Sequence, residues 1–209
     1  MTILSARRAI DRGEERSVAS ARWTLRDATT EAHERVDRLF SRFDLARADD
    51  YRLFLEAHRA VLPGLEHSLA ESNVEEFLPD WPRRRRADSL AADLRDLGLS
   101  DSVEDVTAPA LSRASAIGLL YVLEGSRLGG AVLARRVSAN DDPRCRAATR
   151  YLRHGEGERL WPTFVAALDQ VDELRDHLPE MIDSAHRAFA IFEAAADAVL
   201  ARSIPRTSH

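Results

Sequence analysis

The chain has 209 residues, 44% of them hydrophobic, with a formal charge of -5, a single cysteine and no lysine among its basic residues. This excludes an internal disulfide, a thiolate zinc site or iron–sulfur cluster built by the chain alone, and any lysine Schiff base, and it argues against nucleic acid as a main partner. The length suits one domain with a sizeable core. No signal peptide is apparent, no apolar run reaches the ~18 residues that span a membrane, and one cysteine fits a reducing cytoplasm.

Residues 1–20 carry scattered charges with little periodicity and read as a mobile arm. An all-α domain is expected over 21–203, with a short tail at 204–209. The first helix runs from about Val18 to Phe40, with Leu25, Ala28, Ala32, Val36, Leu39 and Phe40 at helical spacing. His33 falls at offsets of eight, three and seven from Leu25, Val36 and Phe40, so it is expected to point inward. Asp49 caps a second helix that Pro63 kinks. Arg83-Arg84-Arg85-Arg86 reads as an exposed, solvated run, or else as a docking patch for an acidic electron donor. Ser89–Leu97 forms a third helix closed by Gly98.

Pro109 starts a fourth helix that reaches about Val137. It is nearly all apolar from Ala116 to Leu123 and then takes up Gly125, Gly129 and Gly130. Three glycines in a helix interior cost about 3 kcal/mol against alanine. Such a helix needs its backbone bare, either for tight packing on another helix or for the close approach of a flat ligand. Asp142-Pro143 opens a fifth helix to about Gly155, Pro162 a sixth that ends before Pro179, and Pro179 a seventh to about Arg202.

An inward imidazole facing a glycine-opened helix suits a flat iron macrocycle, since neutral imidazole is the usual axial ligand. Other chemistries fit less well. A di-iron bundle needs paired Glu-x-x-His motifs, and Asp183-Ser-Ala-His186 is one imperfect copy. A serine hydrolase needs a strand-to-helix elbow, which Gly125-Ser126 lacks. His58, His67 and His177 read as surface or packing residues, and Cys145 as incidental.

Two segments, Leu25-Arg-Asp-Ala-Thr-Thr-Glu-Ala-His33 and Tyr121-Val-Leu-Glu-Gly-Ser-Arg-Leu-Gly-Gly130, together resemble the heme oxygenase family, above all bacterial forms associated with bacteriophytochromes. Weaker similarity continues through Trp161-Pro-Thr-Phe164 and Ala188-Phe189, so that it spans about Trp23 to Val199. The resemblance implies a helical heme oxygenase fold with His33 as proximal iron ligand. It implies a kinked distal helix at Gly125, Ser126 and Gly129, with Arg26 and Tyr121 at a heme propionate and Phe189 in the heme wall. The implied activity is oxidative cleavage of heme, as substrate and cofactor, to biliverdin, carbon monoxide and ferrous iron. Dioxygen is consumed, with electrons from a donor such as a ferredoxin or flavodoxin, and a bacteriophytochrome is a candidate recipient of biliverdin. Ser126 stands where mammalian members have aspartate, so Ser126 and ordered water are expected to deliver the proton. No second basic propionate partner is evident around Phe164 to Asp169. A non-catalytic heme carrier or sensor on the same fold is the main alternative, and a partner-binding module without heme the next.

Overall fold

A computed structural model of the chain describes residues 21–100, 110–170 and 176–203. The expected arm, the tail and the Pro109 helix start lie outside the described residues. Among the described residues the regular structure is entirely helical: α1 (Ala21–Phe40), α2 (Ala48–Arg59), α3 (Leu62–Glu71), α4 (Trp81–Arg84), α5 (Ala87–Asp96), α6 (Arg113–Ser126), α7 (Gly130–Val137), α8 (Pro143–Ala147), α9 (Arg150–Arg153), α10 (Leu160–Asp169) and α11 (Leu178–Ser203). Short 3₁₀ turns lie at Val74–Glu76 and Arg127–Gly129.

Three expected helices are each split in two. The second breaks before Val61, and Pro63 sits in the first turn of α3, where its missing N–H costs nothing. The fifth breaks at Ala148, whose ψ of 70° is not helical. The fourth begins at Arg113, where the Ser112 hydroxyl accepts the Ser115 amide at 3.1 Å. It then changes from α to 3₁₀ geometry at Arg127. The Asp142 cap is as read, with its carboxylate accepting the Arg144 amide at 2.8 Å.

The 26-residue α11 packs along α6, α1 and α2. Its buried stripe, including Met181, Ala185, Ala188, Phe192, Ala196 and Val199, follows the helical period. On α6, Ile117 and Leu120 are fully buried, each contributing roughly 1.5–3 kcal/mol by burial. The stretch Arg113–Val137 is long and apolar enough to cross a membrane by composition. Here it is broken by the 3₁₀ turn and serves as core. Ser184 on α11 donates to the Ser115 carbonyl at 2.7 Å. Gly118 meets α11 so closely that a Cβ there would collide with the Met181 carbonyl.

Candidate heme site

α1 and the α6–α7 pair form facing walls of an open cavity of about 980 Å³, at the top of the ~300–1,000 Å³ range of ligand pockets. From α1 come Arg22, Arg26, Thr29, His33, Val36, Asp37 and Phe40, residues that recur every three or four positions and so share one face. From the other wall come Tyr121, Val122, Gly125, Ser126 and Gly129. Phe189 and Phe192 of α11 close one side. All seven residues singled out in the sequence therefore line a single cavity.

His33 does not point into the core. The buried stripe of α1 is Leu25, Thr29 and Ala32, while Ala28 is exposed and the His33 side chain is 60% exposed. The helical period puts position 33 about 100° around from Ala32, on the flank that faces the cavity rather than on the buried stripe. Its Nδ1 lies 3.3 Å from the Asp37 carboxylate, one turn on. Phe189 meets the ring edge-on at 5.9 Å. With the carboxylate beside Nδ1, the other ring nitrogen, Nε2, is the candidate ligand atom.

The glycines divide by function. Gly118 and Gly130 are packing glycines: a Cβ at Gly130 would collide with the Leu152 carbonyl. Gly125 and Gly129 are not pressed against another helix. A Cβ at Gly125 would meet only the Trp161 ring, at 3.6 Å, and one at Gly129 would have nothing within 4 Å. Helix packing therefore does not explain these two. Gly129→Ala is expected to leave thermal stability of the ligand-free chain unchanged or raised by up to about 1 kcal/mol, while weakening hemin binding in an absorbance titration. Unchanged hemin affinity would show that bare backbone at Gly129 is not needed.

The arginine run is a correction. It is no exposed loop: Trp81–Arg84 is helical, Arg84 is fully buried and Arg86 nearly so, and only Arg83 and Arg85 project. Arg84 Nη1 pairs with the buried Glu124 at 2.7 Å and also donates to the Leu160 carbonyl. The other Glu124 oxygen takes Arg127 Nε at 2.9 Å. Arg86 Nη2 donates to Ser126 Oγ at 2.9 Å and to the Leu123 carbonyl at 3.1 Å. Ser126 in turn donates its own proton to Leu123 O at 2.7 Å. In this arrangement the Ser126 hydroxyl accepts from Arg86 and directs its own proton to Leu123 O, with a second lone pair left for the cavity.

Sequence reading placed His58 among surface or packing histidines, and it packs, but inside the cavity wall. Its Nδ1 meets the Phe54 carbonyl at 2.8 Å, and the rings of Phe40, Phe54, Tyr151 and Phe192 surround it. Burial, and secondarily the Arg86 charge, lower its pKa from 6.5 to about 4, against the opposing Phe54 bond. The unfolded chain takes up this proton below pH 6.5 and the folded chain refuses it until about pH 4. Stability should thus fall with pH across that window, by up to about 3 kcal/mol. Urea midpoints at pH 7 and pH 4.5 test this, and His58→Phe should remove that share of the slope.

Reading along the chain could not find His58, Arg86, Arg127, Arg136 or His154, all of which line the cavity. Arg22 was missed as well. It lies one turn before Arg26, and both guanidiniums rest over Trp23, at 4.7 and 5.2 Å. Tyr121 stands beside them, half-buried against Trp161 at 5.8 Å. Burial raises its phenol pKa, with Thr29 and the two arginines opposing. Among the described residues no cluster of three or more histidine, cysteine or acidic side chains could hold a metal ion.

An all-α protein with an imidazole on one wall of a slot and uncrowded glycine backbone on the other defines a binder of a flat iron macrocycle. The family model for heme oxygenase matches residues 19–198, and the chain belongs to the heme oxygenase family. A heme oxygenase of Xanthomonas campestris is 34% identical over 145 residues, 69% of this chain and 87% of its own. Heme oxygenase PigA of Pseudomonas aeruginosa is 34% identical over 149 residues, 69% of this chain and 75% of its own. The fold matches the crystal structure of the Neisseria meningitidis heme oxygenase in its NO- and CO-bound forms with a TM-score of 0.75 at 23% identity, over 91% of this chain and 96% of that one. The protein is accordingly an enzyme of heme degradation, with heme as both substrate and prosthetic group.

Proposed function

We propose that this enzyme holds heme between His33 and the Gly125–Gly129 backbone and opens it to biliverdin, carbon monoxide and ferrous iron. The observation that carries this reading is the meeting of His33, Gly125, Ser126, Gly129, Arg26, Tyr121 and Phe189 on one cavity. Heme supplies the redox-active iron and the ring that is oxidised. His33 Nε2 is the iron ligand, held in the correct tautomer by Asp37. Arg26 and Tyr121, with Arg22 as the second basic partner, bind the propionates, since guanidinium forks grip carboxylates. Phe189 and Phe192 exclude water from one face.

On the distal side, the bare Cα positions of Gly125 and Gly129 would leave the backbone free to lie close to heme held here, with room for dioxygen beside it. Ser126 accepts a hydrogen bond from water in the cavity, and that water carries the proton.

The electron donor in this reading is an acidic ferredoxin or flavodoxin, and a bacteriophytochrome is the recipient of biliverdin in a cytoplasmic setting. Burial of Arg84 and Arg86 removes the argument for a donor patch at 83–86. An absorbance titration with hemin, followed by ascorbate or ferredoxin and its reductase in air, tests the activity. Soret decay with growth of a broad red band is the expected result. A stable Soret band with no red product would overturn it in favour of a heme carrier.

A further inference from the structure

At the kink of the distal helix the Arg127 amide turns from the α-helical partner four residues back to the Glu124 carbonyl three back. The Leu123 carbonyl is thereby orphaned, a cost that buried helix ends must meet with another donor. Arg86 Nη2 at 3.1 Å and Ser126 Oγ at 2.7 Å are its donors. Arg86 is itself held rigidly. Its amide donates to Glu66 at 2.7 Å, and its guanidinium lies over the Tyr151 ring at 5.3 Å. It is 95% buried, has no direct carboxylate partner for its charge among the described residues, and leaves Nε unbonded. A buried cation kept in this state is costly. The only groups its Nη2 bonds are the orphaned carbonyl and the hydroxyl beside Gly125.

We propose that Arg86 is a positioning residue for heme cleavage: by capping the Leu123 carbonyl and holding Ser126 as an acceptor, it keeps the distal helix in its 3₁₀ kink. Without that cap the Arg127 amide can return to Leu123, the turn reverts to α geometry, and Gly129 shifts relative to the cavity. The inference rests on the heme reading for its consequence, but the kink itself can be tested without heme.

The test is amide hydrogen exchange by mass spectrometry on the heme-free chain, comparing wild type with Arg86→Met, Arg86→Lys and Ser126→Ala. Exchange over residues 126–130 should differ from wild type by about tenfold in Arg86→Met and be partly restored in Arg86→Lys, while the rest of the chain is unaltered. With hemin, turnover should fall by about a hundredfold, as expected for a misplacement near 1 Å, and hemin affinity by far less. Exchange at 126–130 equal to wild type would overturn the proposal. So would a rise spread over the whole chain, which would make Arg86 a general core residue. Should Arg86→Met not fold, Ser126→Ala, which removes the second donor to Leu123, carries the same local expectation. A wild-type chain that binds no hemin would sink the heme reading and leave the exchange result decisive for the kink.

Discussion

Hemin added to the His33→Ala chain is expected to lose the spectrum of a histidine-ligated heme, and turnover with it. The side chain is 60% exposed and meets one carboxylate and one ring edge. Its removal should therefore change folding stability by no more than about 0.5 kcal/mol, as for other exposed substitutions. This separates loss of ligation from loss of fold, because the ligand-free variant should melt like wild type. Imidazole added to the variant should recover part of the spectrum by entering the vacated space. An unaltered Soret band in His33→Ala would end the ligand assignment. Asp37→Ala should act in the same direction more weakly, by about 10-fold in affinity or activity, since it removes the group that orients the ligand.

The largest loss of stability is expected from Arg84→Met. Arg84 and Glu124 are both fully buried and paired at 2.7 Å, and Arg84 also bonds Asp80, Thr163 and the Leu160 carbonyl. Removing one member of such a pair leaves a charge stranded in low dielectric and costs about 3–5 kcal/mol. Against a total of ~5–15 kcal/mol this brings the chain near unfolding. Arg127 Nε still faces Glu124, so the loss should fall toward the lower end. Urea denaturation of Arg84→Met beside Arg84→Met/Glu124→Gln provides the check. The double variant should recover part of the loss, and a single variant as stable as wild type would show that Arg127 alone compensates Glu124.

Much of this molecule could be read along the chain because helical periodicity is local. The apolar helical run that ends at Val137, the Asp142 cap and the long last helix all follow from spacing and capping chemistry, though not the break at Arg127. His33 and the glycines could be picked out for the same reason: each is odd within its own helix. What escaped was what depends on the third dimension. Position 33 lies on the helix flank, and only the placement of α11 against Ala32 decides that this flank faces a cavity rather than the core. The four arginines in a row have the composition of a solvated loop. Two of them are buried because Glu124, some 40 residues away, and the Leu123 carbonyl need partners. Likewise Gly118 and Gly125 look alike in sequence, and only their neighbours, the Met181 backbone and the Trp161 ring, separate packing from clearance.

The long α11 touches both α1, which carries His33, and α6, which carries Gly125. Both jaws of the slot are thus referenced to one rigid rod, as in a calliper whose opening is set by its spine. A change of side-chain volume at Ala185 or Ala188, where α11 is buried, would widen or narrow it directly. The dimension on which chemistry depends is therefore held in part by small residues that do not themselves line the cavity.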